Sequence, residues 1–408
     1  MKPKQGPASS GRPSPRLVLM FAIACGVAVA NLFYAQPILR TIATAFGTGS
    51  ATAGLVVTLS QIGYALGLAL LVPLGDLLPR RRLVPAVLGI TTVALLIGAA
   101  APTIEILLLV SLLIGAGSVM AQVLVPMAAS MADDEHRGQV VGSVMSGLLI
   151  GILLARTVSG LIASLASWRV VYLASAVLTG TIAIAMARVV PYETERPRMR
   201  YPTLLRSTLK LLGSSRVLRR RALYGALGFA TFSAFWTTVA FLLSGAPYHY
   251  GDLTIGLFGL GGAAGALCAT FAGRWVDRGL HRRTTVLFAA LIVVSFALVW
   301  FGRHELVPLI AGILVLDAGV QGLQVTNQSV IYGLAPDAPS RITSAYMVLY
   351  FLGGAAGSAA GSFAYAGDGW AGACLVGATI GAVALAIAVA EALRARRGAV
   401  QLAVPLRG

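Results

Sequence analysis

Long apolar stretches separated by short polar breaks run from residue 17 to residue 393. Four of them, 17–39, 83–104, 106–132 and 370–390, carry no charged side chain. Each is long enough to cross a hydrocarbon core ~30 Å thick as a helix. The pattern predicts twelve helices, at 17–39, 51–73, 83–101, 103–131, 139–164, 169–190, 219–243, 252–273, 284–302, 306–333, 341–365 and 370–393. Between the sixth and seventh, PYETERPRMRYP interrupts the pattern, and a basic amphipathic stretch, TLLRSTLKLLGSSRVLRRR, follows it. That segment reads as an interfacial connector. The expected fold is an all-α integral membrane protein: a tail at 1–16, a six-helix bundle at 17–190, a linker at 191–218, a second bundle at 219–393 and a tail at 394–408.

Composition supports lipid as the main solvent. The 408 residues are 57% hydrophobic and 11% charged, against about 25% charged in soluble domains, and no stretch is left for a sizeable soluble domain. The net charge of +17 raises nucleic acid as a partner, but its distribution excludes that reading. With a cytoplasmic amino terminus and twelve spans, 27 of the 31 Lys and Arg residues fall inside, 3 outside (Arg40, Arg169, Arg303) and 1 within a span, Arg156. This asymmetry is the positive-inside rule. It predicts a multi-pass protein of the cell membrane with both termini cytoplasmic and its basic face against anionic headgroups. The start of the chain could pass for a signal peptide, with Ala28-Val29-Ala30 as a cleavage site. Removing it would leave an odd number of spans and spoil the asymmetry. Cys25, Cys268 and Cys374 lie in apolar runs, so neither a disulfide nor a metal site is expected.

The two halves repeat. GDLLPRRR (75–82) follows the second span, and GRWVDRGLHRR (273–283) follows the eighth. Asp133 and Arg137 follow the fourth span at the same spacing as Asp337 and Arg341 after the tenth. Features recurring about 201 to 204 residues apart imply duplicated six-helix units, a known transporter construction.

These loops resemble those of the major facilitator superfamily, over essentially the whole chain. The loop pattern of that family is Gly-x-x-x-Asp-Arg-x-Gly-Arg-Arg/Lys. The second copy keeps Gly273, Asp277, Arg278, Arg282 and Arg283, with Gly279 displaced by one position and His281 where Arg is usual. The first copy keeps Asp76, Arg80 and Arg81 but has Val72, Leu77 and Pro79 at the Gly, Arg and Gly positions. The fifth-helix antiporter pattern, Gly-x-x-x-Gly-Pro-x-x-Gly-Gly, is occupied by Gly151, Ala155, Arg156, Ser159 and Gly160, so Arg156 stands at the proline position. In the fourth helix, Ser111 and Ile114 replace the family's Arg and Gln before Gly115. The resemblance implies two pseudo-symmetric bundles and a cytoplasmic gate held by Asp76, Arg80 and Arg81 with Gly273, Asp277, Arg278 and Arg282. It also implies a central cavity lined by the first, fourth, seventh and tenth helices.

Within the spans, polar residues form helical stripes. The tenth helix offers Asp317, Gln321, Gln324 and Gln328, with Asn327 beside them; the fourth offers Ser111, Ser118 and Gln122; the first offers Asn31, Tyr34 and Gln36; the second offers Gln61; the seventh offers Trp236 among Thr231, Phe232, Phe235 and Thr238. Hydrogen bonding between helices is the alternative role for each. Gly-x-x-x-Gly pairs at Gly63/Gly67, Gly147/Gly151, Gly261/Gly265 and Gly353/Gly357/Gly361 lie in helices that form the interface between halves in the resembling family. They are expected to let those halves slide. Asp317 is the only acidic residue placed well inside a span, at a depth matching that of Arg156. An ionised group at mid-bilayer costs ~2.5–3.5 kcal/mol on insertion scales and needs a partner. Arg156 and Asp317 are therefore expected to face one cavity, with Asp317 as proton carrier and Arg156 as the fixed cation; the alternatives are a structural ion pair locking the halves, or Arg156 snorkelling to the outer interface.

The expected function is secondary active transport by alternating access, as proton-coupled efflux of a small organic molecule. A proton-coupled importer is the runner-up, and a non-transporting receptor comes third. An enzyme is not expected: the four histidines fall at loops or helix ends, and there is no phosphate-binding G-x-x-x-x-G-K-[ST] loop. No cofactor is expected, the partners are substrate, protons and lipid, and a monomer suffices.

Overall fold

The computed structural model describes residues 14–75, 77–133, 135–190, 201–262, 265, 274–275, 278, 280–334 and 339–402. These residues are helical with short connections, and no strand occurs among them. Helices lie at each predicted position. The second to seventh spans are Ser50–Leu74, Arg80–Ala99, Ile104–Ser130, Arg137–Leu165, Trp168–Val189 and Arg216–Ser244. The ninth and tenth are His281–Phe301 and Leu306–Tyr332. The eighth is described over Asp252–Leu257 and a 3₁₀ turn, Phe258–Gly261. The connector forms the helix Tyr201–Ser214, whose Tyr201 hydroxyl donates to the Leu70 carbonyl (2.9 Å).

Three departures from the predicted spans have local causes. The first span is helical over Pro15–Ala30, then breaks, and resumes through Gln36–Ile38 into Leu39–Ala45. Pro37 lacks an N–H and crowds the carbonyl four residues earlier, so the chain passes through i→i−3 bonds at Leu32, Phe33, Gln36 and Ile38. The fourth span breaks once, at Val119, where the Gln122 N–H reaches back three residues instead of four. The eleventh and twelfth spans form one helical run, Pro339–Leu402, divided by Asp368 and Gly369. Gly369 has φ +59°, which glycine adopts without steric cost, and it reverses the chain within two residues.

Burial separates central from peripheral spans. The apolar window of the seventh span is 83% buried, whereas that of the fifth is 28% buried. The fifth span therefore presents one narrow inward stripe, Val140, Val144, Leu148, Ala155, Arg156, Ser159, Gly160 and Ala163, and offers much of its remaining surface to lipid. Its start is capped by Asp133, whose carboxylate accepts from the His136 N–H (2.8 Å), favourable beside a helix N-terminus.

The Gly-x-x-x-Gly pairs do not join the halves. A Cβ on Gly63 or Gly67 would meet the carbonyls of Leu112 and Ala116 in the fourth span. On Gly147 or Gly151 it would meet those of Ala22 and Gly26 in the first. Gly261 and Gly265 face Ile313 and Gln321, and Gly353, Gly357 and Gly361 face Ala226, Ala230 and Ala234 of the seventh span. All are contacts within one six-span set, where backbones must come closest. The seam between the sets uses other residues, at the end of the bundle opposite the chain termini. Thr41 donates to the Asp252 carboxylate (2.8 Å), Thr157 to the Gly256 carbonyl (3.0 Å) and Thr58 to Ser358 (3.1 Å). Gly54 leaves room for Ser362, Gly160 for the Asp252 carbonyl, and Gly256 for the Arg156 carbonyl.

Candidate functional site

Just below that seam lies Arg156, 2% exposed. The inward stripe of the fifth span points it at the broken part of the first span and at the seventh. Its Nε donates to Gln36 Oε1 (2.7 Å). The kink at Pro37 makes this possible, because it turns Gln36 inward where a continuous helix would place it differently. The guanidinium carbon lies 4.2 Å from the Trp236 ring centroid, 5.0 Å from Phe33 and 5.5 Å from Phe232. Gly259 gives the side chain its passage, since a Cβ there would come within 2.8 Å of Arg156 Cβ.

Asp317, also 2% exposed, reaches the same place from the tenth span. Its Oδ1 accepts from Trp236 Nε1 (3.3 Å), so the indole presents its face to the cation and its N–H to the carboxylate. Arg156 and Asp317 form no ion pair within 4.0 Å, and the indole touches both. Magnitudes explain how Arg156 persists without that pair. A charge-assisted hydrogen bond contributes ~1.5–3 kcal/mol and a desolvated cation–π contact about 2 kcal/mol. Together, at ~3.5–5 kcal/mol, they offset the ~2.5–3.5 kcal/mol cost of a mid-bilayer charge.

Three buried side-chain atoms at this site have no hydrogen-bond partner: Arg156 Nη2, Gln36 Nε2 and Asp317 Oδ2. The Gln36 amide is fixed in orientation, since arginine only donates and must face Oε1. The site therefore offers two donors from the first six spans and one acceptor from the last six. A Cβ on Gly262 would lie 3.6 Å from Asp317 Oδ2, so the eighth span approaches the carboxylate without covering it with a side chain.

The remaining polar candidates separate from this site. Asn31 donates to Thr179 of the sixth span (3.3 Å), and Tyr34 lies near Ser175 of the same span. Gln61 pairs with Ser233 (3.0 Å), a tie across the seam. Ser118 donates to its own helix at Ile114 (2.7 Å), so it does not line a cavity through its hydroxyl. Gln122 donates to the Tyr64 hydroxyl (3.3 Å). The tenth-span stripe divides: Gln321 packs near Gly265, whereas Gln324 and Asn327 both bond the Tyr346 hydroxyl. Asn327 also accepts from Arg221 (3.4 Å), which donates to Thr285 as well (2.8 Å).

Arg221 is a buried arginine that the charge pattern concealed, because it closes a run of three read as an interfacial basic cluster. The available signal was register. Leu218, Ala222, Gly225 and Phe229 form the buried stripe of the seventh span, and Arg221 falls on it. Arg220, one position earlier, is exposed and pairs with Glu391 (2.6 Å).

Of the gate residues, Asp76, Gly273 and Asp277 lie outside the described residues. Arg80 Nε donates to the Gly75 carbonyl at the end of the second span (3.2 Å), and Arg278 and Arg282 are exposed. Among the described residues no group of three His, Cys, Asp or Glu side chains is arranged to hold a metal.

Comparison with known proteins agrees with this architecture. A chain of Escherichia coli O157:H7 described as an uncharacterized transporter, YgaY, is 48% identical over 374 residues, covering 92% of this chain and 95% of that one. The probable transporter SCO4007 of Streptomyces coelicolor is 33% identical over 379 residues, covering 91% and 86%. Among solved structures, the nucleoside transporter NupG superposes with a TM-score of 0.74 at 14% identity, covering 92% of this chain and 99% of that one. A bacterial homolog of the human lysosomal transporter Spinster, in an inward-facing and unoccupied conformation, gives 0.70 at 13%, covering 93% and 96%. The family model described as Major Facilitator Superfamily matches residues 19–358, and the chain is a multi-pass membrane transporter belonging to that superfamily.

Proposed function

We propose that the protein is a secondary active transporter of a small organic molecule, working by alternating access as a proton-coupled exporter. The observation that carries this reading is the division of the buried site: Arg156 and Gln36 belong to the first six spans, Trp236 and Asp317 to the last six. Rocking one set against the other takes the site apart and rebuilds it, so occupancy and conformation are linked. Asp317 is the proton carrier, because a carboxyl group exchanges its proton and a guanidinium does not. Its Oδ2 is the open position. The basic distribution along the chain supports cytoplasmic termini in the cell membrane. On that orientation the Thr41–Asp252 and Thr157–Gly256 contacts lie toward the outer face. The fifth-helix motif favours export over import.

Proteoliposomes with an imposed pH gradient and pooled small molecules test this. Gradient-dependent flux in the wild type and its loss in Asp317→Asn is the expected result. Flux in Asp317→Asn that still accumulates substrate against its gradient overturns Asp317 as the carrier. Flux in the same direction as the proton assigns import.

A further inference from the structure

The three open atoms at the central site specify a ligand more narrowly than a small organic molecule. Arg156 Nη2 and Gln36 Nε2 are donors, beside each other through the Arg156–Gln36 hydrogen bond, and they call for an anionic acceptor such as a carboxylate. Asp317 Oδ2 is an acceptor and calls for a donor, best a cation. The two poles make no ion pair with each other and share contact with the Trp236 indole, and the rings of Phe33, Phe232 and Trp236 surround the cation side. A singly charged ligand would satisfy one pole and leave the other buried and unpaired, which is costly in a desolvated site.

We propose that the ligand is a zwitterion of the α-amino-acid kind with an apolar or aromatic side chain. Its carboxylate is held by Arg156 and Gln36, its ammonium by Asp317 Oδ2, and its side chain lies against Phe33, Phe232 and Trp236. This rests on the transport reading and adds the substrate class to it. The zwitterion places one charge on each half of the protein, so it is gripped at both ends only when the halves meet around it. The ammonium and the transported proton take the same carboxylate oxygen in turn.

The test uses purified full-length protein in nanodiscs, with calorimetric titration of the twenty protein amino acids, 3-phenylpropionate and phenethylamine. At least one apolar or aromatic amino acid is expected to bind, and phenylalanine at least tenfold more tightly than its deaminated or decarboxylated analogue. Arg156→Gln is expected to abolish the preference over the amine, and Asp317→Asn the preference over the acid. Equal binding of phenylalanine and either analogue overturns the proposal, as does an absence of binding by every amino acid. The wild-type comparison decides even where a variant fails to fold. Gradient-driven flux of some other compound with no amino-acid binding would overturn the substrate class and leave transport standing. Amino-acid binding without flux of any compound would do the reverse.

Discussion

Arg156 and Arg221 are both buried, at 2% and 7% exposure, yet their surroundings differ in kind. Arg221 sits near the terminal end of the seventh span and donates to Thr285 and Asn327, both from the same six-span set. No buried nitrogen of it lacks a partner. Arg156 has one hydrogen-bond partner, three aromatic neighbours and an open Nη2, and its neighbours come from both sets. A fully satisfied cation within one bundle holds that bundle together. A partly satisfied cation between two bundles is available to something else. Burial alone would have grouped the two residues; partner accounting and the origin of the partners separate them.

That contrast breaks most readily at Arg156. Arg156→Met is expected to reduce gradient-driven flux roughly 10- to 100-fold, the equivalent of a charge-assisted hydrogen bond worth ~1.5–3 kcal/mol. Its thermal unfolding midpoint in detergent is expected to fall less than that of Arg221→Met, since it leaves one buried acceptor, Gln36 Oε1, without its donor where Arg221→Met leaves two. A large fall in that midpoint, with flux per folded molecule unchanged, would make Arg156 structural.

Arg221→Met is expected to show the opposite pattern. It leaves Asn327 Oδ1 and the Thr285 hydroxyl without their donor, which costs ~1–3 kcal/mol for a buried group. Differential scanning of purified protein should register this as a lower midpoint, while flux per folded molecule stays near wild type. If flux falls in step with Arg156→Met, the two arginines belong to one machinery and the distinction fails.

Trp236→Phe sharpens the comparison with the smallest effect. It keeps an aromatic face for Arg156 and deletes the N–H that orients Asp317. The loss is a single long hydrogen bond (3.3 Å), worth ~1 kcal/mol, so flux should fall roughly fivefold. Trp236→Leu removes both contacts, and the ratio of the two flux rates measures what the ring face contributes to the cation.

Several elements of this site were legible before any coordinates. Arg156 and Asp317 stood out because charges inside apolar runs are few and their depths matched. The structure brings both into contact with the seventh-span indole of Trp236. Other positions have local hydrogen-bond partners, which a stripe of polar residues does not reveal. Gln324 and Asn327 share a helix with Asp317 but bond Tyr346. Ser118 turns its hydroxyl into its own helix. The glycine pairs signalled close packing correctly, but the surfaces they serve lie within the bundles. The residues that let the halves approach are Gly54, Gly160, Gly256 and Gly259, and they sit in no such pair.

Hydropathy and its spacing, by themselves, determined the all-helical multi-pass membrane plan and the presence of two isolated intramembrane charges. These are one-dimensional quantities: apolar length against bilayer thickness, and charge counted along the chain. The tertiary structure alone decided which polar atoms meet and which are left open. The kink at Pro37 turns Gln36 toward Arg156, and the packing of the seventh span sets one indole against both a cation and a carboxylate. Hydrogen bonds act over about 3 Å and depend on direction. A helix rotated by a fraction of a turn would exchange every partner without changing the hydropathy pattern.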